Sequence, residues 1–242
     1  MRIADKAVLV TGANRGIGHA LVEEALRRGA KRVYAGTRQP LAHADERVTP
    51  LILDVTNAAQ IQKAAERVES LDVLINNAGV AIYDDLSNLN VVEQHLSVNF
   101  LGSLKVTQAF LPLLKRSKGA IVNNLSLVAL AALPIIPAYS ISKAAAFNMT
   151  QSLRALLAGQ GVTVHAVMLG PIDTDMNRGF EIPKASPASA AQCILDGLEQ
   201  GEEDIFPDPA SLSIAEGWRN GAVKALERQF AAFVPNSTAK LV

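Results

Sequence analysis

Short apolar runs rich in β-branched residues alternate along this chain with longer stretches of helical period. The runs cover residues 7–11 (AVLVT), 32–37 (RVYAGT), 48–55 (VTPLILDV), 72–76 (DVLIN), 120–126 (AIVNNLS) and 163–169 (TVHAVML). Helices are predicted over 16–28, 58–68, 91–114, 139–159 and 188–200. In the first of these, Ile17, Leu21 and Ala25 share a face, the charged Glu23, Glu24, Arg27 and Arg28 lie elsewhere, and Gly29 suits the C-terminal cap. Strands alternating with helices predict parallel βαβ units with right-handed crossovers, and strands buried on both faces read as near-continuous apolar runs. After about residue 170 the pattern loosens: MNRGFEIPKASP reads as a loop, EDIFPD as a short last strand and residues 213–233 as one closing helix. The expectation is a single doubly wound α/β domain over residues 1–242, with a mainly parallel seven-stranded sheet and helices on both faces.

One stretch stands apart, NNLSLVALAALPIIPAYSISKAAAF at 123–147, with an unbroken apolar run from Leu127 to Ala138. It is too short for a membrane-spanning helix, which needs about 20 residues, and Pro134 and Pro137 interrupt it. It reads instead as the wall of a cavity with polar groups at both ends. Composition supports a globular reading, with 49% hydrophobic and 19% charged residues. Lys plus Arg and Asp plus Glu both number 23, so no net field draws the chain to nucleic acid or to a membrane. The single cysteine, Cys193, allows no internal disulfide, and the N-terminus lacks the long apolar region of a secretory signal; a cytoplasmic setting is expected.

The first strand runs straight into GANRGIG and a helix. Gly12, Gly16 and Gly18 fall where a chain turns sharply and approaches a phosphate with no Cβ in the way, and the helix N-terminus offers free N–H groups to a pyrophosphate. A tight strand–helix turn with no ligand is the plainer alternative. The spacing differs from the Gly-x-Gly-x-x-Gly fingerprint, and TGANRGIG resembles the cofactor loop of the short-chain dehydrogenase/reductase family. Further matches follow in order: LDV at 53–55, NNAG at 76–79, Asn99, Ser126, YSISK at 139–143 and GPIDT at 170–174. The resemblance covers roughly residues 5–176. It implies a Rossmann-like fold with a cofactor and catalytic core there, leaving 177–242 for the substrate loop, last strand and C-terminal helix.

The end of the second strand faces the adenosine ribose in such folds, and a carboxylate there favours NAD. This chain has Gly36-Thr37-Arg38 with no acid, and Arg38 and Arg15 could together grip a 2′-phosphate, which points to NADP. By resemblance, Asn14 and Ile17 join the glycine loop, Asp54 and Val55 meet the adenine, and Asn77, Ala78 and Gly79 pass the adenosine ribose. Gly170 and Pro171 join the cofactor site by resemblance, and the Ile172 backbone and Thr174 hydroxyl would hold the nicotinamide carboxamide, although Leu169 stands where the family usually has proline.

Tyr139 and Lys143 are four residues apart on a predicted helix and so share a face. A nearby ammonium is expected to lower the tyrosine pKa toward the working range, which suits the phenol to acid–base work on a carbonyl or alcohol. Ser126 could hold the same oxygen. The resemblance assigns Lys143 to the nicotinamide ribose and Asn99 to a water linking Lys143 with solvent. Leu127, Val128, Leu133, Ile135, Met176 and Phe180 are the candidate substrate wall, which predicts a small apolar ketone, aldehyde or secondary alcohol. The resemblance also implies a homodimer or homotetramer, assembled through the helices near 91–114 and 139–159. The alternatives are a non-catalytic NADP sensor or scaffold on the same fold, and an acyl-carrier ketoreductase. The histidines have no metal-ligand spacing, Asp84 and Asp85 diverge, Cys193 reads as a small buried residue, and Ala222, Leu226, Phe230 and Phe233 form an apolar stripe suited to core or subunit contact. No metal site is expected.

Overall fold

The computed structural model describes residues 1–179 and 181–234. Seven strands form one sheet in the order β3-β2-β1-β4-β5-β6-β7, with every neighbouring pair parallel. They are β1 (Ala7–Thr11), β2 (Arg32–Thr37), β3 (Val48–Ile52), β4 (Val73–Asn76), β5 (Ala120–Asn124), β6 (Thr163–Val167) and β7 (Asp204–Ile205). The helices are α1 (Gly16–Arg27), α2 (Ala58–Arg67), α3 (Leu89–His95), α4 (Ser103–Ser117), α5 (Pro137–Ala158), α6 (Pro187–Gln200), α7 (Pro209–Arg219) and α8 (Ala222–Ala231).

Successive strand residues divide between two cores, which is why the strands read as unbroken apolar runs. Val8, Val10, Val33, Ala35, Ile75 and Val122 pack against α1 and α6 on one face. Leu9, Tyr34, Leu51, Leu74 and Ile121 pack with Ile61, Phe110 and Leu157 on the other. The strand order reverses between β1 and β4, because the chain builds outward from β1 through β2 and β3 before returning to β4. Ligand sites of open parallel sheets form at such a switch point, outside the carboxyl ends of the strands.

Two helical predictions change. The helix expected over 91–114 starts at Leu89, ends at Ser117 and contains a π-helical stretch, Leu96–Gly102. Such a widened turn is common at functional sites, and it carries Asn99. The single closing helix is two. Gly221 sits so close to α7 that a Cβ there would stand 2.7 Å from the Gly217 carbonyl oxygen, and the chain breaks at Asn220-Gly221 before α8.

The buried side of α8 is charged, and of the two roles expected for its apolar stripe, core or subunit contact, the first does not hold. Lys224 is 2% exposed and bonds Asp204 at 2.7 Å, Glu203 at 2.9 Å and Glu227 at 3.0 Å. Arg154 of α5 bonds Asp204 at 2.8 Å and also pairs with Glu227. Burial alone would raise the Asp204 carboxyl, but Arg154, Lys224 and the Trp218 indole together hold it below its usual range. Leu226, Phe230 and Phe233 lie outward, 44%, 60% and 81% exposed, so this part of the stripe is not core of this chain. Cys193 is exposed on α6, not buried.

Candidate active site

Each parallel strand ends at the same edge of the sheet, and the sequence-selected residues follow those ends. After β1 the turn bends through positive φ at Gly12 (67°) and Gly16 (54°), which residues with a Cβ rarely adopt. Arg15 is the N-cap of α1 and makes no side-chain cap bond, and the first turn has no acidic residue. The first helical bond comes from the His19 N–H, so the N–H groups of Gly16, Ile17 and Gly18 stay outside the helix ladder. Asn14 is exposed, while Ile17 packs its side chain against the core.

The neighbouring strand ends brace this turn. Asn77 donates to the carbonyl oxygens of Thr11 (2.9 Å) and Gly12 (3.3 Å) and accepts from Asn124 at 2.9 Å. The Ala78 backbone packs so closely that a Cβ on Gly12 would stand 3.0 Å from the Ala78 Cα. Asn77 is therefore engaged in holding the turn. Thr37, at the end of β2, is buried and donates its hydroxyl to the Gln39 carbonyl at 2.6 Å. Val55 turns its side chain into the core, where a Cβ on Gly102 would meet it at 2.7 Å. It presents no side chain to a ligand.

The two arginines expected to converge have separate partners. Arg15 reaches Asp175 at 3.0 Å, and Asp175 also pairs with Arg178. Arg38 is exposed at the end of β2 and close enough to act on Asp54. Burial would raise the Asp54 carboxyl, but hydrogen bonds from Thr56 and the Arg38 charge outweigh it and hold Asp54 below its ordinary range.

Four elements bring the chemical groups together. Ser126 lies two residues beyond β5 as the N-cap of a short 3₁₀ turn, Leu127–Ala129; its hydroxyl accepts from the Val128 N–H at 3.3 Å and stands close enough to the Tyr139 phenol to act on it. Tyr139 and Lys143 occupy the first turns of α5, with the Lys143 Nζ 5.6 Å from the Tyr139 ring centre. Lys143 is buried and donates to the Asn124 carbonyl at 2.7 Å. From the π-helical stretch, Asn99 accepts from the Val80 N–H and donates to the Val80 carbonyl and the Ser142 hydroxyl, each at 2.9 Å. A Cβ on Gly79 would stand 3.2 Å from Asn99 Oδ1 and 3.8 Å from Lys143 Nζ, so a larger residue there would crowd both groups.

The electrostatics depart from expectation. Tyr139 as a whole is half-buried, yet burial pushes its phenol up to about 12, and the nearby Ser126 hydroxyl only partly offsets that. Burial likewise pushes Lys143 down to about 8. Lysine spacing alone suggested a lowered tyrosine; desolvation of both groups outweighs the pairing. Tyr139 thus keeps its proton at neutral pH. For Lys143 the folded pKa lies below the usual 10.5. Its ammonium costs stability in full below about pH 8, and that cost is relieved as pH rises toward 10.5. Thermal melts of the wild type and Lys143→Met across that range are expected to show a higher melting temperature for the variant below pH 8. The gap should narrow above it, whereas a pH-independent gap would contradict the assignment.

Several partners were not visible in sequence. His95 is fully buried, accepts from the Ile82 N–H at 3.0 Å, and meets the Tyr139 ring edge-on at 6.2 Å between centres. Asp84 accepts from the Ala138 N–H at 3.3 Å, capping α5 from a loop 54 residues earlier. Ser142, also fully buried, links Asn99 to the Tyr139 carbonyl. Trp218 donates to Asp204 at 2.8 Å and packs on Phe147.

Beyond β6, Ile172 is buried and bridges to Ala185, and the Thr174 methyl would lie 3.1 Å from a Cβ on Gly16. Pro171 keeps its carbonyl bonded to the Ala185 N–H at 3.1 Å. Leu169 accepts from the Leu127 N–H at 2.9 Å, a bond that a proline carbonyl would make equally well. Of the candidate substrate wall, Leu127 and Val128 are half-buried in the 3₁₀ turn, and Leu133, Ile135 and Met176 are exposed. Phe180 lies outside the described residues. Among the described residues there is no cluster of metal-ligating side chains, and no helix is long and apolar enough to cross a membrane.

The short chain dehydrogenase family model matches residues 6–184, and the chain belongs to that family. Over 197 residues it is 34% identical to estradiol 17-beta-dehydrogenase 2 of Mus musculus, which covers 74% of this chain and 51% of that enzyme. The chain thus spans about half the length of that relative and of its Rattus norvegicus counterpart. An uncharacterized oxidoreductase of Staphylococcus aureus strain N315 is 32% identical over 216 residues, 82% of this chain and 93% of that one. Among solved structures, a short chain dehydrogenase from Burkholderia cenocepacia J2315 in complex with NADP superposes with a TM-score of 0.87. It is 38% identical and covers 97% of this chain and 100% of its own.

Proposed function

We propose that this protein is an NADP(H)-dependent oxidoreductase that interconverts a small apolar ketone or aldehyde and its alcohol, with Tyr139 as the acid–base group. The observation that carries the reading is the convergence of Ser126, Tyr139 and Lys143 beyond the end of β5, with the buried Lys143 Nζ 5.6 Å from the Tyr139 ring centre. The residues also fit the cofactor. Three N–H groups at an uncapped helix start, with no carboxylate in the first turn, suit a pyrophosphate. When bound, NADPH supplies the hydride. Ser126 orients the substrate carbonyl oxygen, and Tyr139 delivers its proton to that oxygen as negative charge develops there. Lys143, anchored on the Asn124 carbonyl, sits close enough to stabilise the phenolate left behind and to favour its reprotonation. In the alcohol-oxidising direction the same phenol oxygen takes the proton. Leu127, Val128, Leu133, Ile135 and Met176 contribute the apolar wall that favours an uncharged substrate. Ile141 and Leu156 stand exposed on α5, which supports homo-oligomer assembly through that helix.

Selectivity for NADP rests mainly on Arg38, because Arg15 already has Asp175 as a partner. A hydrogen bond to a charged group contributes about 1.5–3 kcal/mol, so Arg38→Asp is expected to reduce the NADPH-over-NADH ratio of kcat/KM by at least about tenfold. An unchanged ratio would remove Arg38 from the cofactor assignment.

A further inference from the structure

At the end of β6 the chain leaves the sheet through Gly170, whose N–H donates at 2.8 Å to Oδ2 of Asp208, 38 residues later. Asp208 is 2% exposed and is the N-cap of α7. Its Oδ1 accepts from the Ala210 N–H at 3.1 Å and the Ser211 N–H at 3.0 Å, and its Oδ2 also accepts from the Ser211 hydroxyl at 2.9 Å. One carboxylate thus serves two elements: one oxygen caps a helix and the other holds a turn. The approach is tight, because a Cβ on Gly170 would stand 2.3 Å from Oδ1.

The turn held in this way leads directly into Pro171–Thr174. That segment is tied further on by the Ala185 N–H to the Pro171 carbonyl (3.1 Å) and by the Asp173 N–H to the Ala185 carbonyl (2.9 Å). Thr174 lies against Gly16 of the phosphate turn. The segment therefore abuts the phosphate turn through Thr174, with Asp208 fixing its start. An N-cap requires only one acceptor oxygen, which serine or asparagine would supply. The second oxygen of Asp208 reaches beyond the cap to the turn.

We infer that Asp208 is a positioning residue for cofactor binding, acting through Gly170 to couple α7 to the 170–174 segment. The inference rests on the oxidoreductase reading above. It concerns a residue beyond the 6–184 span of the family match.

Three full-length variants separate this role from simple capping. Asp208→Asn has a single acceptor oxygen, so it can serve the cap while setting an amide donor against the Gly170 N–H. Asp208→Ser caps α7 with a hydroxyl too short to reach Gly170. Ser211→Ala weakens the cap but leaves the bond to Gly170. Amide hydrogen exchange over residues 168–176 and the NADPH dissociation constant, read by fluorescence, are compared with the melting temperature of each. Both Asp208 variants are expected to exchange the Gly170 amide at least about tenfold faster and to bind NADPH at least about fivefold more weakly. Ser211→Ala should lower the melting temperature and change neither. If the Asp208 variants lose only thermal stability, with exchange and NADPH affinity like those of Ser211→Ala, Asp208 is a cap and the inference is overturned. If the wild type binds no NADPH at all, the reading beneath it falls as well, a result distinct from unchanged exchange with binding intact.

Discussion

Replacing Tyr139 with phenylalanine is expected to lower turnover by about 10²–10⁴-fold, the usual contribution of a positioned general acid. NADPH binding should be unchanged. The substitution removes one oxygen beside the Ser126 hydroxyl, and it keeps the ring contact with His95. Because burial holds the phenol near 12, the wild type carries its proton throughout the neutral range, so loss of the oxygen removes the donor and does not merely shift a titration. Stability should change by no more than about 1 kcal/mol, the net worth of one hydrogen bond. Stopped-flow oxidation of NADPH, with the melting temperature as control, checks both statements. Retained turnover would mean that another group protonates the substrate.

Gly18→Ala is expected to damage the phosphate turn itself. The new methyl would stand 2.1 Å from the Gly12 carbonyl oxygen, 2.8 Å from its carbon and 2.6 Å from the Asn77 amide nitrogen. The first two are backbone atoms, and Asn77 is already bound to the Thr11 and Gly12 carbonyls, so no flexible end can swing away. The turn must move. Overpacking of this kind costs about 1–3 kcal/mol, and if the distortion falls on the ligand-bound geometry it weakens NADPH binding by roughly 5- to 150-fold. Titration calorimetry with NADPH, alongside thermal denaturation, measures both effects. An affinity equal to wild type would show that the turn adjusts without touching the N–H groups at the start of α1.

The sheet was legible in sequence for a physical reason. A parallel strand covered on both faces must be apolar at nearly every position, and the bounds of β1 and β2 are those of the runs at 7–11 and 32–37. The runs at 48–55, 120–126 and 163–169 extend beyond their strands because the residues after each ladder stay apolar or buried, as Leu53, Val55, Leu125 and Met168 do. The grouping of Ser126, Tyr139 and Lys143 was readable from motif spacing, but the protonation of the last two was not. Four-residue spacing reports proximity, whereas the pKa values follow from burial that only the folded chain creates. Capping of α5 by Asp84, the His95 contact with Tyr139 and the two-sided role of Asp208 all join distant segments, and no local pattern announces them. The closing segment departs because two helices replace the one expected. Its apolar stripe suggested core or subunit contact, and the ionic network around Lys224 turns the other face inward, which removes the core role for Leu226, Phe230 and Phe233.

The central claim is hydride transfer between the nicotinamide and a carbonyl carbon at the Tyr139 site. The most direct test incubates the wild-type protein with NADPH deuterated at both C4 positions and a panel of aryl and aliphatic ketones and aldehydes, then reads the alcohol products by mass spectrometry. Deuterium at the carbinol carbon, with product formation falling at least about 10²-fold in Tyr139→Phe, is the predicted result. Tight NADPH binding by both proteins with no alcohol formed from any carbonyl would contradict it and favour a non-catalytic nucleotide sensor on the same fold.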